Sequence, residues 1–175
     1  MSLRVHVNVF IQAKNPRYGF DFCPAFWDWL DQQSASGRVA SIEKVLDELK
    51  AGADELTTWA TARSSRLPRA NTAVLGSLRT VSLWATAARD DPAAVSTFFQ
   101  VADYHLVAHA HAHALTVVTH EVPDNAVKRI KIPNACIALG LKCMTPYEML
   151  RAAVRRCSPV AEGPVQTGLP RCATP

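Results

Sequence analysis

The chain alternates short β-branched runs with longer segments of helical spacing, and this alternation limits its fold more than any other feature. Residues 3–11 predict a first strand, because β-branched side chains recur at every second position from Val5 to Ile11. The run LTVVTHE at residues 115–121 predicts a second strand, and residues 142–144 predict a short third one. Strands that alternate with helices of this length favour a parallel sheet with helices on both faces.

Capping residues and apolar spacing place the helices between these strands. Pro24 opens an aromatic helix that Gly37 ends, because proline suits a first helical turn and glycine suits the position after a helix. Ser41 is the predicted cap of the helix in SIEKVLDELKAG, and Pro146 opens the last helix. The other predicted helices are DELTTWATAR, residues 71–101 with an interruption at DDP, VADYHLVAHAHAHA, and a short helix in KIPNACIALG.

Length and composition bound the organisation of the chain. The sequence has 175 residues, 49% of them hydrophobic, and residues 1–156 are long enough for one domain with its own core. Residues 157–175 are rich in proline and glycine without periodicity, which predicts a disordered tail. No stretch reaches the apolar length of a membrane span, so we expect no membrane partner. Five cysteines without a C-x-x-C pair indicate reduced thiols and a cytoplasmic location.

Three acidic residues lie where a parallel sheet would bring them to one edge. Glu48 lies in the second predicted helix, Asp103 in the first turn of its helix, and Glu121 at the end of the second predicted strand. His6 and Asn8 are two positions apart in the first predicted strand and would share one face of it. Because crowded carboxylates repel one another, such a group commonly persists around a hard cation, which predicts a site for Mg²⁺ or Mn²⁺.

Several motifs occur in an order that resembles a known family. VNVFIQAKN is followed by VLDELKAG, in which Glu48 stands in an E-L-x-x-G context. Next comes ADYHLVAHAHAHALTVVTHE, in which Asp103 opens a helix and Glu121 closes a strand. This ordered set, over roughly residues 4–156, resembles the PIN domain family of metal-dependent ribonucleases. FDFCPAFWDWL and IKIPNACIALGLKC resemble features of one PIN-like subfamily, VapC-like in kind, which is often encoded as the toxin of a toxin–antitoxin pair.

The resemblance implies a PIN-like fold, in which a parallel sheet is flanked by helices in three α/β/α layers. It also implies a metal-dependent endoribonuclease, in which Glu48, Asp103 and Glu121 hold Mg²⁺ or Mn²⁺ and activate a water for phosphodiester hydrolysis. Asn8 and Thr119 would orient the carboxylates or the water. The expected partners are an RNA substrate, a cognate antitoxin protein and, in a homodimer, a second copy of the chain. The basic residues expected to contact the RNA backbone are Lys14, Arg17, Lys128, Arg129 and Lys131.

One position departs from the family pattern. VHVNVFI carries His6 where the family has the first aspartate of an LDTNVFI-like motif, and it keeps Asn8. Magnesium prefers oxygen ligands, whereas imidazole suits Mn²⁺, Zn²⁺ or Ni²⁺. His6 is therefore a fourth candidate metal ligand, which either retunes the site or impairs it. The alternative function is a catalytically inactive PIN-like domain that acts by binding an antitoxin or RNA.

A second histidine pattern leaves a third hypothesis open. His105, His109 and His113 recur every four residues and would share one face of a helix. Two histidines at this spacing bind zinc in H-E-x-x-H helices, but HLVAH lacks the glutamate of that motif. A zinc-dependent hydrolase is kept as a hypothesis beside a solvated or interface role for this face.

Overall fold

The computed structural model describes residues 2–52, 54–67, 71–88, 91–124 and 128–157. The predicted tail at 157–175 lies outside these residues except for Cys157, so the domain boundary at 156 stays a prediction. The description also leaves out the side chains of Val7, Pro16, Arg17, Arg66 and residues 154–157.

Four short parallel strands form the sheet, in the spatial order β2-β1-β3-β4. The two central strands are almost fully buried, which suits their β-branched residues. Helices flank the sheet in three α/β/α layers, so the predicted fold class is confirmed. The strands are β1 (Leu3–Val5), β2 (Val39–Ala40), β3 (Thr116–Val118) and β4 (Cys143–Met144).

The predicted strand at residues 3–11 is wrong beyond Val5. The N–H of His6 donates the last hydrogen bond of this strand, to the Val118 carbonyl (3.0 Å), and helix α1 (Val7–Gln12) follows at once. The apolar residues of this run also have helical spacing, and α1 buries Val9 and Phe10 while its Ile11 stays exposed. Core packing on that helical face overrode the β-propensity of the run.

The remaining helices agree with the predicted order, with shifted ends. The predicted cap Ser41 lies two residues before α3, and its hydroxyl donates instead to the Val5 carbonyl of β1 (2.8 Å). Asp54 and Asp91 accept hydrogen bonds from the first-turn amides of their helices, as N-caps do. A π-helical turn, Ala13–Arg17, follows α1. The helices are α2 (Pro24–Ala35), α3 (Glu43–Lys50), α4 (Glu55–Thr61), α5 (Thr72–Ala88), α6 (Pro92–Gln100), α7 (Ala102–Ala112), α8 (Ile132–Ala138) and α9 (Pro146–Cys157).

Helix α7 lies at the centre of the core. Its residues Leu106, Val107, Ala108 and Ala110 are fully buried, and it packs against α3, α5, α6 and α8 as well as β3. A helix that is buried on most sides presents small and apolar residues all round, as the run LVAHA does. None of the helices in the described part of the chain combines the length and apolar character needed to cross a membrane.

The turn that ends α7 contains a strained residue. Ala114 has a φ of 49°, in the left-handed region that favours glycine. The Leu115 N–H donates to the Ala110 carbonyl (2.9 Å), which makes this turn a Schellman-type cap with alanine at the glycine position.

Ala114→Gly is expected to raise the free energy of unfolding by about 0.5–1 kcal/mol, because glycine adopts this conformation without strain. Urea denaturation of the two proteins measures the difference. The control is Ala112→Gly at the last residue of α7. It should lower the free energy of unfolding by a similar amount, because the backbone of Ala112 is helical. Equal destabilisation by both substitutions would show that Ala114 is not strained.

Candidate functional site

His6 lies where β1 ends and α1 begins, at the carboxyl edge of the sheet. Its side chain is buried, and its Nε2 lies 2.6 Å from Oδ1 of Asp103 on α7. Because an ionised carboxylate only accepts hydrogen bonds, Nε2 carries the proton that is donated. On the other side of the ring, Nδ1 lies 3.5 Å from the hydroxyl of Thr119. The imidazole thus bridges the ends of β1 and β3 and the start of α7.

Asp103 is a buried carboxylate in the first turn of α7. The partial positive charge of that helix end favours an anion at this position. Burial lowers the pKa of His6, but the hydrogen bond and negative charge of Asp103 outweigh it, with smaller contributions from Asn8 and Glu121. The net result is a raised pKa for His6. We therefore describe the two residues as a buried histidine–aspartate pair.

Glu48 reaches the same helix end from α3. Its Oε1 accepts a hydrogen bond from the backbone N–H of Ala102 (2.7 Å), one residue before Asp103. The residue that precedes α7 is Val101, which has no side-chain acceptor for the free amides of the first turn. Glu48 therefore serves as the cap that α7 itself lacks.

Glu121 caps the start of α8 in the way that Glu48 caps α7. Its Oε2 accepts from the backbone N–H of Ile132 (2.9 Å), and its Oε1 accepts from the Arg129 guanidinium (3.0 Å). The same Arg129 nitrogen lies 3.6 Å from Oδ2 of Asp103. One exposed arginine thus spans two buried carboxylates.

Asn8 and Thr119 link the loops around these acids. The Asn8 amide donates to the Thr119 hydroxyl (3.2 Å) and accepts from the backbone N–H of His120 (3.3 Å). The Thr119 hydroxyl also accepts from the Glu121 N–H (3.1 Å). The expectation that His6 and Asn8 share a strand face is wrong, because Asn8 belongs to α1. Both side chains nevertheless reach Thr119.

The five basic residues expected to bind RNA separate into different environments. Lys14 pairs with Asp54 at the start of α4 (2.6 Å). Arg129 lies among them, and its side chain is 56% exposed. Lys128 is exposed beside it, and Lys131 is partly buried just before α8. The Arg17 side chain lies outside the described residues.

Residues 5–156 match a family described as a domain of unknown function, DUF4411. The chain belongs to this family. The DUF4411 match includes His6, Glu48, Asp103, Glu121 and Arg129. No curated protein matches the chain. Among solved structures, the chain is similar to one in the crystal structure of VapBC2 from Rickettsia felis bound to a DNA fragment from their promoter, with 16% identity and a TM-score of 0.48 over 83% of this chain and 98% of that one.

The site of this DUF4411 domain, as arranged, does not fit a resident Mg²⁺ or Mn²⁺. Each of the three carboxylates already accepts a hydrogen bond from a backbone amide, an imidazole or a guanidinium. Within the described ranges, no group of three or more histidine, cysteine, aspartate or glutamate side chains could hold a metal ion. The metal roles of Glu48, Asp103, Glu121 and His6 therefore stay predictions.

A pocket of about 330 Å³ opens beside Asp103. Phe98 and Val101 form part of its apolar wall, and Arg129 stands at its side, so a ligand there would meet one cation and one buried anion. The lining residues are Ala94, Thr97, Phe98, Val101, Asp103, Arg129 and Ile130.

Of the three histidines on one face of α7, His109 packs inward, His105 is half-buried and His113 is exposed. His109 is buried, and its Nδ1 has no hydrogen-bond partner among the described residues. Burial, and then the positive charges of Arg4, His113 and His105, lower the pKa of His109 to about 4. The described residues offer these histidines no further metal-ligating side chain, so the zinc hypothesis gains no support.

Sequence reasoning missed the two backbone amides that hold Glu48 and Glu121. A usable signal was present, because Val101 and Lys131 precede α7 and α8 where a capping side chain is usual. A helix start without a local cap needs an acceptor from elsewhere in the fold. Here the two acids supply it.

Proposed function

We propose that this chain is a PIN-like, VapC-like domain of the toxin–antitoxin kind whose ribonuclease site is impaired, and that it acts by binding RNA and a cognate antitoxin. The observation that carries the proposal is the buried pair of His6 and Asp103. It occupies the position where the resemblance expects two carboxylates around a cation.

The PIN-like part of the proposal is supported by the placement of the acids. Glu48, Asp103 and Glu121 are far apart in the sequence, yet their side chains meet at the starts of α7 and α8. A chance set of surface acids would not share a site at the carboxyl edge of a parallel sheet. This position is the one at which such sheets usually bind ligands.

The impairment is supported by the charges at the site. A divalent cation is attracted by the summed negative charge and oxygen ligands of its site. His6 supplies a proton donor in place of an oxygen ligand, and Arg129 places a positive charge between Asp103 and Glu121. Both features offset the negative charge that would otherwise attract Mg²⁺.

RNA binding is supported by the exposed cations that border the acids. Lys128 and Arg129 are exposed, and Lys131 follows them at the start of α8. Positively charged side chains in such a position contact phosphates without reading sequence. Lys14 is less suited to this role because Asp54 already neutralises it.

The partners and location complete the proposal. We infer a cognate antitoxin, a homodimer and a cytoplasmic location from the resemblance to toxin ribonucleases. Co-purification of the chain with the product of an adjacent gene, followed by measurement of the mass of the complex, tests the partner and the dimer.

Purified wild-type protein is expected to bind a structured RNA but to cleave it no faster than Asp103→Asn, with either Mg²⁺ or Mn²⁺. Gel analysis of end-labelled RNA measures cleavage, and filter binding measures affinity. Replacing Lys128 and Lys131 together by alanine should weaken binding about tenfold or more at low salt and reduce its salt dependence. The matched control is Lys142→Ala, because Lys142 is exposed before β4, at the amino end of the sheet.

The second candidate is a working metal-dependent endoribonuclease, which the gathering of three carboxylates favours. Cleavage by the wild type that Asp103→Asn loses would establish it and reject the impaired site. If neither cleavage nor salt-dependent binding is found, RNA is not the ligand.

A further inference from the structure

Two cysteines lie together next to, but outside, the carboxylate site. Cys136 on α8 is fully buried, and Cys143 on β4 is partly buried. Both thiols are free, and the two side chains are close enough to interact with each other. No function described above uses either sulfur.

The backbone holds this pair together. Helix α8 ends at Ala138 and is followed by Gly140, which has a φ of +68°. The Leu141 N–H donates back to the Cys136 carbonyl (2.8 Å). This Schellman-type turn reverses the chain directly into β4. Cys143 is then fixed opposite Val117 by pairing with β3. Two hydrogen-bonded segments, and not mobile loops, therefore set the distance between the thiols.

Access to the two sulfurs differs. Cys143 lines a groove of about 360 Å³ together with Glu121, Val122 and Ile137, whereas Cys136 is enclosed behind it. A small molecule that enters the groove meets Cys143 first. Interaction with Cys136 lowers the pKa of Cys143, against the opposing effects of burial and of the Glu121 and Glu148 charges. The interaction with Cys143, together with burial, raises the pKa of Cys136. The thiolate is the reactive form of cysteine.

We propose that Cys143 and Cys136 are an oxidation site for small hydroperoxides, with Cys143 as the attacking sulfur and Cys136 as the resolving sulfur. The Cys143 sulfur attacks one peroxide oxygen, so an S–O bond forms while the O–O bond breaks and water or an alcohol leaves with a proton. The Cys136 sulfur then attacks the Cys143 sulfenic acid, forming the disulfide and releasing water. Overall, two thiols lose two hydrogens and one peroxide is reduced.

Peptide mapping of the folded, full-length chain tests the site. The chain is treated with hydrogen peroxide, alkylated and cleaved with trypsin, which cuts after Lys142 and separates the cysteines into peptides 132–142 and 143–151. We expect these peptides to appear as one disulfide-linked pair, which a thiol reductant separates. Cys143 should be oxidised at least about tenfold faster than Cys23, a partly buried free cysteine elsewhere in the fold.

Variants assign the order of the two steps. Cys136→Ser should leave a sulfenic acid on Cys143 that dimedone traps, whereas Cys143→Ser should abolish both the link and the trapped product. Cys23→Ser is the control and should form the link at the wild-type rate. If wild-type peptides 132–142 and 143–151 both remain alkylated, or link only after unfolding in urea, the proposal is wrong.

Discussion

His6→Asp is expected to raise the metal-dependent ribonuclease activity of the chain well above that of the wild type. The substitution replaces a proton donor by an oxygen ligand and adds negative charge beside Asp103. The variant should bind Mn²⁺ and Mg²⁺ at least about tenfold more tightly than the wild type does. Single changes in a metal site alter affinity by about that factor or more. Calorimetric titration with each metal measures affinity, and cleavage of a structured RNA measures activity.

The same substitution should change how stability depends on metal. Without metal, two neighbouring buried carboxylates repel each other, so His6→Asp should melt at a lower temperature than the wild type. Added Mn²⁺ should restore its melting temperature, since a ligand that binds only the folded chain stabilises it.

His6→Asn is the matched control, because it has nearly the shape of aspartate without the charge. It should gain neither metal affinity nor activity, and Asp103→Asn in the His6→Asp background should remove both. If His6→Asp binds metal no better than His6→Asn, the missing carboxylate is not what impairs the site.

Asp103→Ala is expected to destabilise the fold by about 1–3 kcal/mol, because it leaves the buried imidazole of His6 without its hydrogen-bond partner. Urea denaturation followed by circular dichroism measures the free energy of unfolding. The control is Asp47→Ala, an exposed acid on α3 whose Oδ1 lies 4.0 Å from the Lys50 ammonium. Removing that contact should cost less than about 1 kcal/mol.

A double-mutant cycle separates the free energy of the His6–Asp103 contact from the stabilisation that Asp103 gives to the start of α7. His6→Leu with Asp103→Ala removes both partners of the hydrogen bond, and its cost should be smaller than the sum of the two single costs. Additive costs would mean that His6 and Asp103 stabilise the fold independently, which would argue against a coupled pair.

The parallel sheet and the order of helices could be predicted because their signals are local. Pro24 and Pro146 open helices where proline is tolerated, and the buried run at Thr116–Val118 is apolar enough to define a central strand. The apolar residues of 7–11 fit both the two-residue period of a strand and the spacing of a helix. The burial of Val9 and Phe10 in the core favours the helix. Local pattern alone could not settle that choice.

The acids could be placed from the sequence, but their partners could not. The order of Glu48, Asp103 and Glu121 along the elements predicts one sheet edge. The bridge from Arg129 depends on the path of the segment after Glu121, which has no periodicity to read. The position of His6 in its motif drew attention to it, yet its contact with Asp103 depends on the three-dimensional placement of α7.

The two-residue lengths of β2 and β4 affect how another protein could bind this domain. These strands form the outer edges of the sheet that the structure describes, and each offers very few backbone groups for pairing with a foreign strand. Short edges of this kind protect against sheet-to-sheet aggregation. They also make strand addition an unfavourable mode of recognition, because that mode draws its affinity from rows of main-chain hydrogen bonds. A protein partner would therefore gain its affinity from helix surfaces and loops.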